Sequence, residues 1–469
     1  MSGEPIAAVD NDWEDSPDIA NVEGNQYQLR QPARDERRTQ RERDDEMREA
    51  PSRQRVVAET PPDANCFVGF HDIIPWSQDE RCIAIHRANP SYSAMEDCTK
   101  PLDICLWYPQ TGEIKALEST CAWNFQQGSR LQWRPGQKDT LAFNHIKDGR
   151  AISVLRNVTT GERRELPAPI YVFSPDGKTS ISPNFTTLAH RWKAYGYMPL
   201  ATNPVILDQD SDGLWHLDID TGKQSLFISI KRAAEFQAVP NADPSSHFLC
   251  HVSFNPGGSR IVFLHRFFSS DGGLFTRMIV TDRQAKELVL LAQEKVSHFD
   301  WLDDDTLLVW ARFSGGGLAQ LRSRGRLNSP LIKPFLRLAR TFTGQWKRKL
   351  LSEAYYRIPL TDPKARSKFG WPSLHADGHP MVARSHGWVV TDFYPNKSAR
   401  LPVILYDSSR NLRRDVHTFV HRPRIDDSDV KCDLHPRWSR SERMVAVDTC
   451  EAGYRQVRVL DVSDIVNEY

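Results

Sequence analysis

Residues 435–448 read HPRWSRSERMVAVD: a histidine, a tryptophan three positions later, a polar turn, and a short run rich in valine. Such a run, bounded by turn residues and too short for a helix, reads as a strand that follows a tight turn. The phrase recurs at 73–86 (IIPWSQDERCIAIH), 130–145 (RLQWRPGQKDTLAFNH), 170–183 (IYVFSPDGKTSISP), 251–265 (HVSFNPGGSRIVFLH), 298–310 (HFDWLDDDTLLVW) and 379–393 (HPMVARSHGWVVTDF). Internal repetition on this scale is the mark of a repeat architecture.

A second phrase follows most copies: DICLWYPQTGEIKAL, ISVLRNVTTGERREL, LWHLDIDTGKQSLF, MIVTDRQAKELVLL and PVILYDSSRNLRRDV. Each is a hairpin signal, two β-prone runs around a short turn of Gly, Asp, Asn or Ser. Two hairpins make a four-stranded sheet, and seven such sheets set radially make an all-β, seven-bladed β-propeller. We expect it to span residues 63–469, with the last blade containing His435 to Val447.

The rest of the chain frames that ring. The first 26 residues carry seven acids and no Lys or Arg, and RQPARDERRTQRERDDEMREAPSRQR follows. Too few apolar groups are present to offset ordering entropy, so residues 1–62 read as a disordered charged tail. No signal peptide or membrane span is legible, and the expected location is cytoplasmic. The net charge of +1 over 469 residues points to no nucleic-acid partner. Eight cysteines without a CxxC pair indicate neither a disulfide scaffold nor a zinc ribbon. If the last hairpin turns around Ser441, His435 faces Val447 and Cys432 faces Cys450, and those two are expected as adjacent, unbonded thiols.

In a propeller of this kind the anchor aromatic lies on the innermost strand, and the residue three before it at that strand's entrance. In blade order this position holds Ile73, Arg130, Ile170, His251, His298, His379 and His435. Repeat symmetry brings all seven to the mouth of the central channel. Four imidazoles there either bond singly to a neighbouring blade's backbone or act together. Together, neutral imidazoles ligate a divalent metal (Mn, Zn or Fe), and partly protonated ones bind anions or shuttle protons. WNFQQGSRLQW adds Asn124, Gln126, Gln127 and Arg130 to the same mouth. That set suits a carboxylated or phosphorylated, hydroxyl-rich ligand and no nucleotide cofactor.

FSPDGK at Phe173–Lys178, followed by LWHLDIDTGK, resembles the repeats of TolB-like and WD40-like propellers. Prolyl oligopeptidases carry similar propellers, but their G-x-S-x-G elbow and hydrolase domain have no counterpart here. CHVSFNPGG, DGHP and CDLHPRW resemble the histidine-bearing strand starts of oligogalacturonate lyases. That resemblance implies a divalent metal held by His251, His379 and His435, with Gln127 as a fourth ligand. It also implies β-elimination on an acidic, uronate-type oligo- or polysaccharide. Arg130 would then neutralise the uronate carboxylate, and the base would be His298 or Tyr197. His190 and Arg191 would lower the Tyr197 pKa, while Asn124, Gln126, Arg191 and Tyr195 would bind substrate. FVGFHDIIPWS, NFTTLAHRWKAYGY and DLHPRWS are similar to uncharacterised propeller proteins of surface-polysaccharide loci, which implies a saccharide context.

Between Ser314 and Ser352 the chain carries nine Lys or Arg and no acid. PLIKPFLRLARTFTGQWKRKLL places Leu331, Phe335, Leu338, Phe342 and Trp346 at helical spacing, so residues 314–353 read as a basic amphipathic helical insertion. It either packs on the propeller edge, docks residues 328–352 on an anionic membrane surface, or acts as a lid or partner-binding helix. Two functions stay open: a saccharide-binding or saccharide-processing enzyme, and a non-enzymatic scaffold that organises protein partners. The aspartates of WLDDDTL and LDQDSDGLWHLD read as turn residues and not as calcium ligands.

Overall fold

The repeated apolar runs pair into seven four-stranded antiparallel sheets. They are seen in a computed structural model that describes residues 55–206, 208–269, 273–313, 352–423 and 429–467. The basic insertion lies almost wholly outside the described residues, as does most of the charged tail. Six sheets take four consecutive strands. Blade 2, for example, runs Gln132–Trp133, Thr140–Lys147, Arg150–Asn157 and Arg163–Leu166. The seventh departs from this. Its outer strand is Val56–Glu59, paired antiparallel with the C-terminal strand Gln456–Asp461. Residues 56–59, expected within the disordered tail, therefore close the ring. Their register runs Val56 opposite Leu460 and Glu59 opposite Arg458.

Middle strands are apolar on both faces because each sheet is packed between two neighbours. Leu307–Ala311 is buried throughout, as is Ile261–Leu264. The anchor tryptophans tie blade to blade: Trp133 Nε1 donates to Pro75 O at 2.8 Å and Trp438 Nε1 to Met381 O at 3.0 Å. In FSPDGK the Asp176 carboxylate accepts from Ser174 Oγ (2.5 Å) and Lys178 N (3.1 Å). Gly177 has φ +66°, and a Cβ there would stand 2.1 Å from Pro135 O on the preceding blade. Glycine is required both by the turn and by that approach.

Two irregularities aim side chains at the channel. The first is a bulge at the strand entrance. In blade 4 the register slips between Cys250 and Ser253, at His251 (φ +51°), and in blade 5 between Val296 and Phe299, around His298. Arg130 (φ +55°) and His435 (φ +43°) take the same left-handed backbone just before their strands. In blade 7 Arg437 lies opposite Ala446, one residue away from a turn centred on Ser441. The bulge at His435 absorbs that residue, and Asp448 N again reaches Leu434 O at 2.9 Å. Cys432 and Cys450 consequently meet as expected, two free thiols hydrogen-bonded to each other.

The second irregularity is an excursion in blade 1. Phe67 pairs with His86, so an unbroken register would set residue 70 opposite Ile83; Trp76 is there instead. Six residues are looped out, and they carry Phe70, His71 and Asp72. The loop is held by blade 7: Val68 N and Gly69 N donate to Asp448 (3.0 and 3.2 Å), and Arg437 Nε donates to Phe70 O (3.0 Å). Arg437 and Asp448 are themselves a buried ion pair at 3.0 Å.

Candidate metal and saccharide site

Four imidazoles meet at the mouth. The His379 ring centre lies 4.2 Å from His298, 4.3 Å from His435 and 5.5 Å from His71. His71 lies a further 5.8 Å from His298 and 6.1 Å from His435. In each ring Nδ1 faces an acceptor supplied by the fold. His71 Nδ1 bonds Pro380 O (3.0 Å) and His435 Nδ1 bonds Gly69 O (2.7 Å). His298 Nδ1 bonds Asp377 (3.1 Å), and His379 Nδ1 bonds both oxygens of Asp392 (2.9 and 3.0 Å). Nδ1–H is thereby the donor, and the lone pair is left on Nε2 of all four.

Charge divides the rings. Burial, with repulsion from His379 and His298, holds His71 well below its ordinary pKa. Burial, His379 and Arg437 do the same to His435. His298 is lowered by burial and His379, against Asp377. For His379, burial is outweighed by the Asp392 charge and hydrogen bond, with Asp433 adding, and its pKa rises. Three neutral rings thus surround one that takes the proton most readily.

His379, Asp433 and His435 each offer one donor atom, and the three lie within 4.8 Å of one another. Donors on a single ion at about 2.0–2.2 Å stand no more than about 4.4 Å apart, so only a small closure is needed. His435 Nε2 is buried without a hydrogen-bond partner among the described residues. A bare buried lone pair costs free energy unless something takes it up. Two imidazoles, a carboxylate and a carboxylate behind one imidazole are a donor set suited to Mn²⁺, Zn²⁺ or Fe²⁺. The residues fit a divalent metal.

The other expected site residues are distributed differently. His251 reaches the mouth, but its ring neighbours are Phe70 (5.3 Å) and Tyr195 (4.8 Å), and its buried Nδ1 has no partner among the described residues. Phe70 also touches His435 at 5.1 Å, so an apolar ring adjoins both histidines. Gln127 Nε2 donates to the Tyr171 hydroxyl at 3.0 Å, and its buried Oε1 has no hydrogen-bond partner among the described residues. Arg130 is fully buried and already clamps Asp72 through two bonds (3.0 and 2.9 Å) while stacking on Tyr171. Its charge is spent within the fold. Asn124 caps the backbone of Gln126 and Gln127, and Gln126 Nε2 bonds Lys431 O at 3.0 Å. Both hold loops. Tyr197 is buried, stacked on Phe185 at 4.1 Å and bonded to Asn144, and burial pushes its phenol up, the opposite of what a base needs. Arg191 ends the helix Phe185–Arg191, half-buried near Asp212. Tyr195 does reach the mouth. There a pocket opens, lined by Phe70, His71, Asp72, Tyr171, His251 and His298 among others.

Spacing did not single out His71, Asp377, Asp392, Asp433 or Tyr394. His71 lies two residues before the expected position in blade 1, inside the excursion. The signal for Asp392 is present in the sequence: WVVTD and MVAVD end alike, and both aspartates accept from backbone at the mouth, Asp392 from His379 N and Asp448 from Val68 N.

No protein-family model matches the chain, and no curated protein matches it by sequence. Among solved structures, an oligogalacturonate lyase in complex with manganese is similar, with a TM-score of 0.55, 12% identity, and coverage of 87% of this chain and 93% of that one. An oligogalacturonate lyase from Vibrio parahaemolyticus gives 0.54 and 12%, covering 86% of this chain and 92% of that one. At this identity the likeness is one of fold. The chain is a seven-bladed β-propeller of the architecture those lyases share.

Proposed function

We propose that the histidine-lined mouth binds an acidic, uronate-type saccharide and cleaves it by metal-assisted β-elimination. The observation that carries this reading is the convergence of four Nδ1-anchored imidazoles with a buried carboxylate. A donor set so pre-organised suits a cation beside an acidic ligand better than a structural tie. His379, His435 and Asp433 would hold a divalent cation. When bound, such an ion draws electron density from an adjacent uronate carboxylate and so acidifies the proton on the neighbouring carbon.

The remaining work falls to the chain itself. His298 takes that proton at Nε2, and the released electron pair forms a carbon–carbon double bond as the glycosidic C–O bond breaks. The imidazolium, steadied by Asp377 at Nδ1, returns the proton to the departing oxygen. A ring lowered by burial and by His379 is neutral at pH 7, as a base must be. Tyr195 and Tyr394, the latter 5.4 Å from His379, offer aromatic faces for the sugar rings. The manganese-bound lyase of the same fold supports this choice of chemistry.

The test is the appearance of the ultraviolet-absorbing unsaturated product from oligogalacturonates in the presence of Mn²⁺. We expect turnover by the native chain and a loss of roughly 10²–10⁴-fold in His298→Ala, the usual weight of a general base. His298→Ala should still bind Mn²⁺. Stoichiometric metal binding with no cleavage of any uronate polymer would overturn the lyase step, and no metal binding at all would favour a protein scaffold.

A further inference from the structure

Lys431 and Asp433 are two residues apart on the segment entering blade 7, so in extended chain they face the same side. Lys431 Nζ lies 3.4 Å from Asp433 Oδ2. It also stands 4.5 Å from the centre of the Tyr394 ring, which in turn is 5.4 Å from His379 and 6.2 Å from His298. The ammonium is therefore at the mouth, between the metal-ligand candidates and an aromatic face. Its side chain is 16% exposed, against 4% for Asp433, so it can reach solvent where its partner cannot.

The backbone beneath it is fixed. Lys431 O accepts from Gln126 Nε2 (3.0 Å) and Arg455 Nη2 (2.6 Å). A long lysine stem on an anchored carbonyl can swing without moving the loop. The arginines nearby are each held through several bonds. Arg130 is clamped on Asp72, Arg437 on Asp448 and the carbonyls of Gly69 and Phe70, and Arg455 on the carbonyls of Phe125, Val430 and Lys431.

Asp433 is thus asked for by two cations. Its carboxylate is one of three donors in the metal cluster and is also the ion-pair partner of Lys431. A divalent ion competes with a lysine for such an oxygen and, with two imidazoles besides, prevails. We propose that Lys431 is the residue that reads the saccharide's acid group, and that it is exchanged into this role. It is paired with Asp433 in the metal-free chain and turned toward the ligand carboxylate when a divalent cation takes Asp433. The inference rests on the metal cluster proposed above and adds to it the group that selects acidic over neutral sugar. It also makes metal and acidic ligand bind with positive coupling, since each favours the same position of Lys431.

The test uses the full chain and calorimetric titration of Mn²⁺, then of digalacturonate and its neutral methyl ester, each with Mn²⁺ present. Lys431→Met removes the competitor and leaves Asp433, 4% exposed, a buried charge without its lysine, so we expect Mn²⁺ to bind several-fold tighter. The native chain should prefer the acid over its ester by roughly tenfold or more, the worth of a charged hydrogen bond. Lys431→Met should weaken that preference by roughly tenfold while holding the ester unchanged, the cation keeping its own share of it, and Lys431→Arg should restore it. Unchanged or weaker Mn²⁺ binding in Lys431→Met, or an undiminished acid preference, overturns the role of Lys431 and leaves the metal cluster standing. Absence of Mn²⁺ binding in the native chain overturns the cluster itself.

Discussion

At the scale of single residues, a histidine's function is set by what holds its first nitrogen. A carbonyl or carboxylate on Nδ1 fixes the tautomer and aims Nε2, as at His71, His298, His379 and His435. His247 and His265 show the other outcome. His247 Nδ1 is 2.8 Å from His265 Nε2, and Arg277 Nη1 is 3.4 Å from His265 Nδ1, so the pair bond each other inside blade 4. Burial lowers His247 to about 4, with Asp243 opposing and Arg277 adding. Burial, His247 and Arg277 hold His265 well below its ordinary value. Both folded pKa values lie below that of the unfolded chain, about 6.5, so on acidification the unfolded chain takes up protons first. Their stabilisation is whole above pH 6.5 and is lost as pH falls toward 4. We expect the thermal midpoint to drop across that window, and the drop to be shallower in His247→Gln. Equal slopes in the two proteins would contradict it. Position in the repeat picked out His298, His379 and His435 in the sequence but not His71; the carboxylates behind the mouth, contributed by other strands, were not legible from spacing.

Elements carry the next layer. The strands were legible because each is a short apolar run between turn residues, and because seven copies correct one another. What repetition hides is anything a single copy does alone. The excursion of blade 1 breaks the phrase by six residues, and it brings Phe70 and His71 to the axis. The bulges at His251, His298 and His435 add one residue each, too little to alter a sequence pattern yet enough to re-aim a side chain. Closure is the third such feature. Val56–Glu59 sits in charged surroundings, and only its pairing with Gln456–Asp461 marks it as a strand. Gln456 Nε2 and Val457 N both bond Thr60, which seals the same seam. Deleting residues 1–62 should therefore lower the thermal midpoint well below that of a chain lacking only residues 1–54, since an open ring exposes a full strand edge. Identical midpoints for the two truncations would show that the ring closes without this strand.

The whole molecule turns seven weak signals into one site. No single repeat could bring four imidazoles within a few ångströms, whereas radial assembly does so by placing strand entrances around one axis. The fold was readable for that reason, and so was the histidine ring in outline. Its exact membership was not, because His71 enters from a loop and His251 turns aside to Phe70 and Tyr195. No helix among the described residues is long and apolar enough to cross a membrane. The central claim is that this mouth is a divalent metal centre, and metal stoichiometry tests it most directly. Purified full-length chain, equilibrated with Mn²⁺ and desalted, should retain one ion per chain by elemental analysis. The double variant His379→Ala, His435→Ala should retain none while keeping its strand content by circular dichroism. No retained metal in the native chain, or equal retention in the folded double variant, would contradict the account.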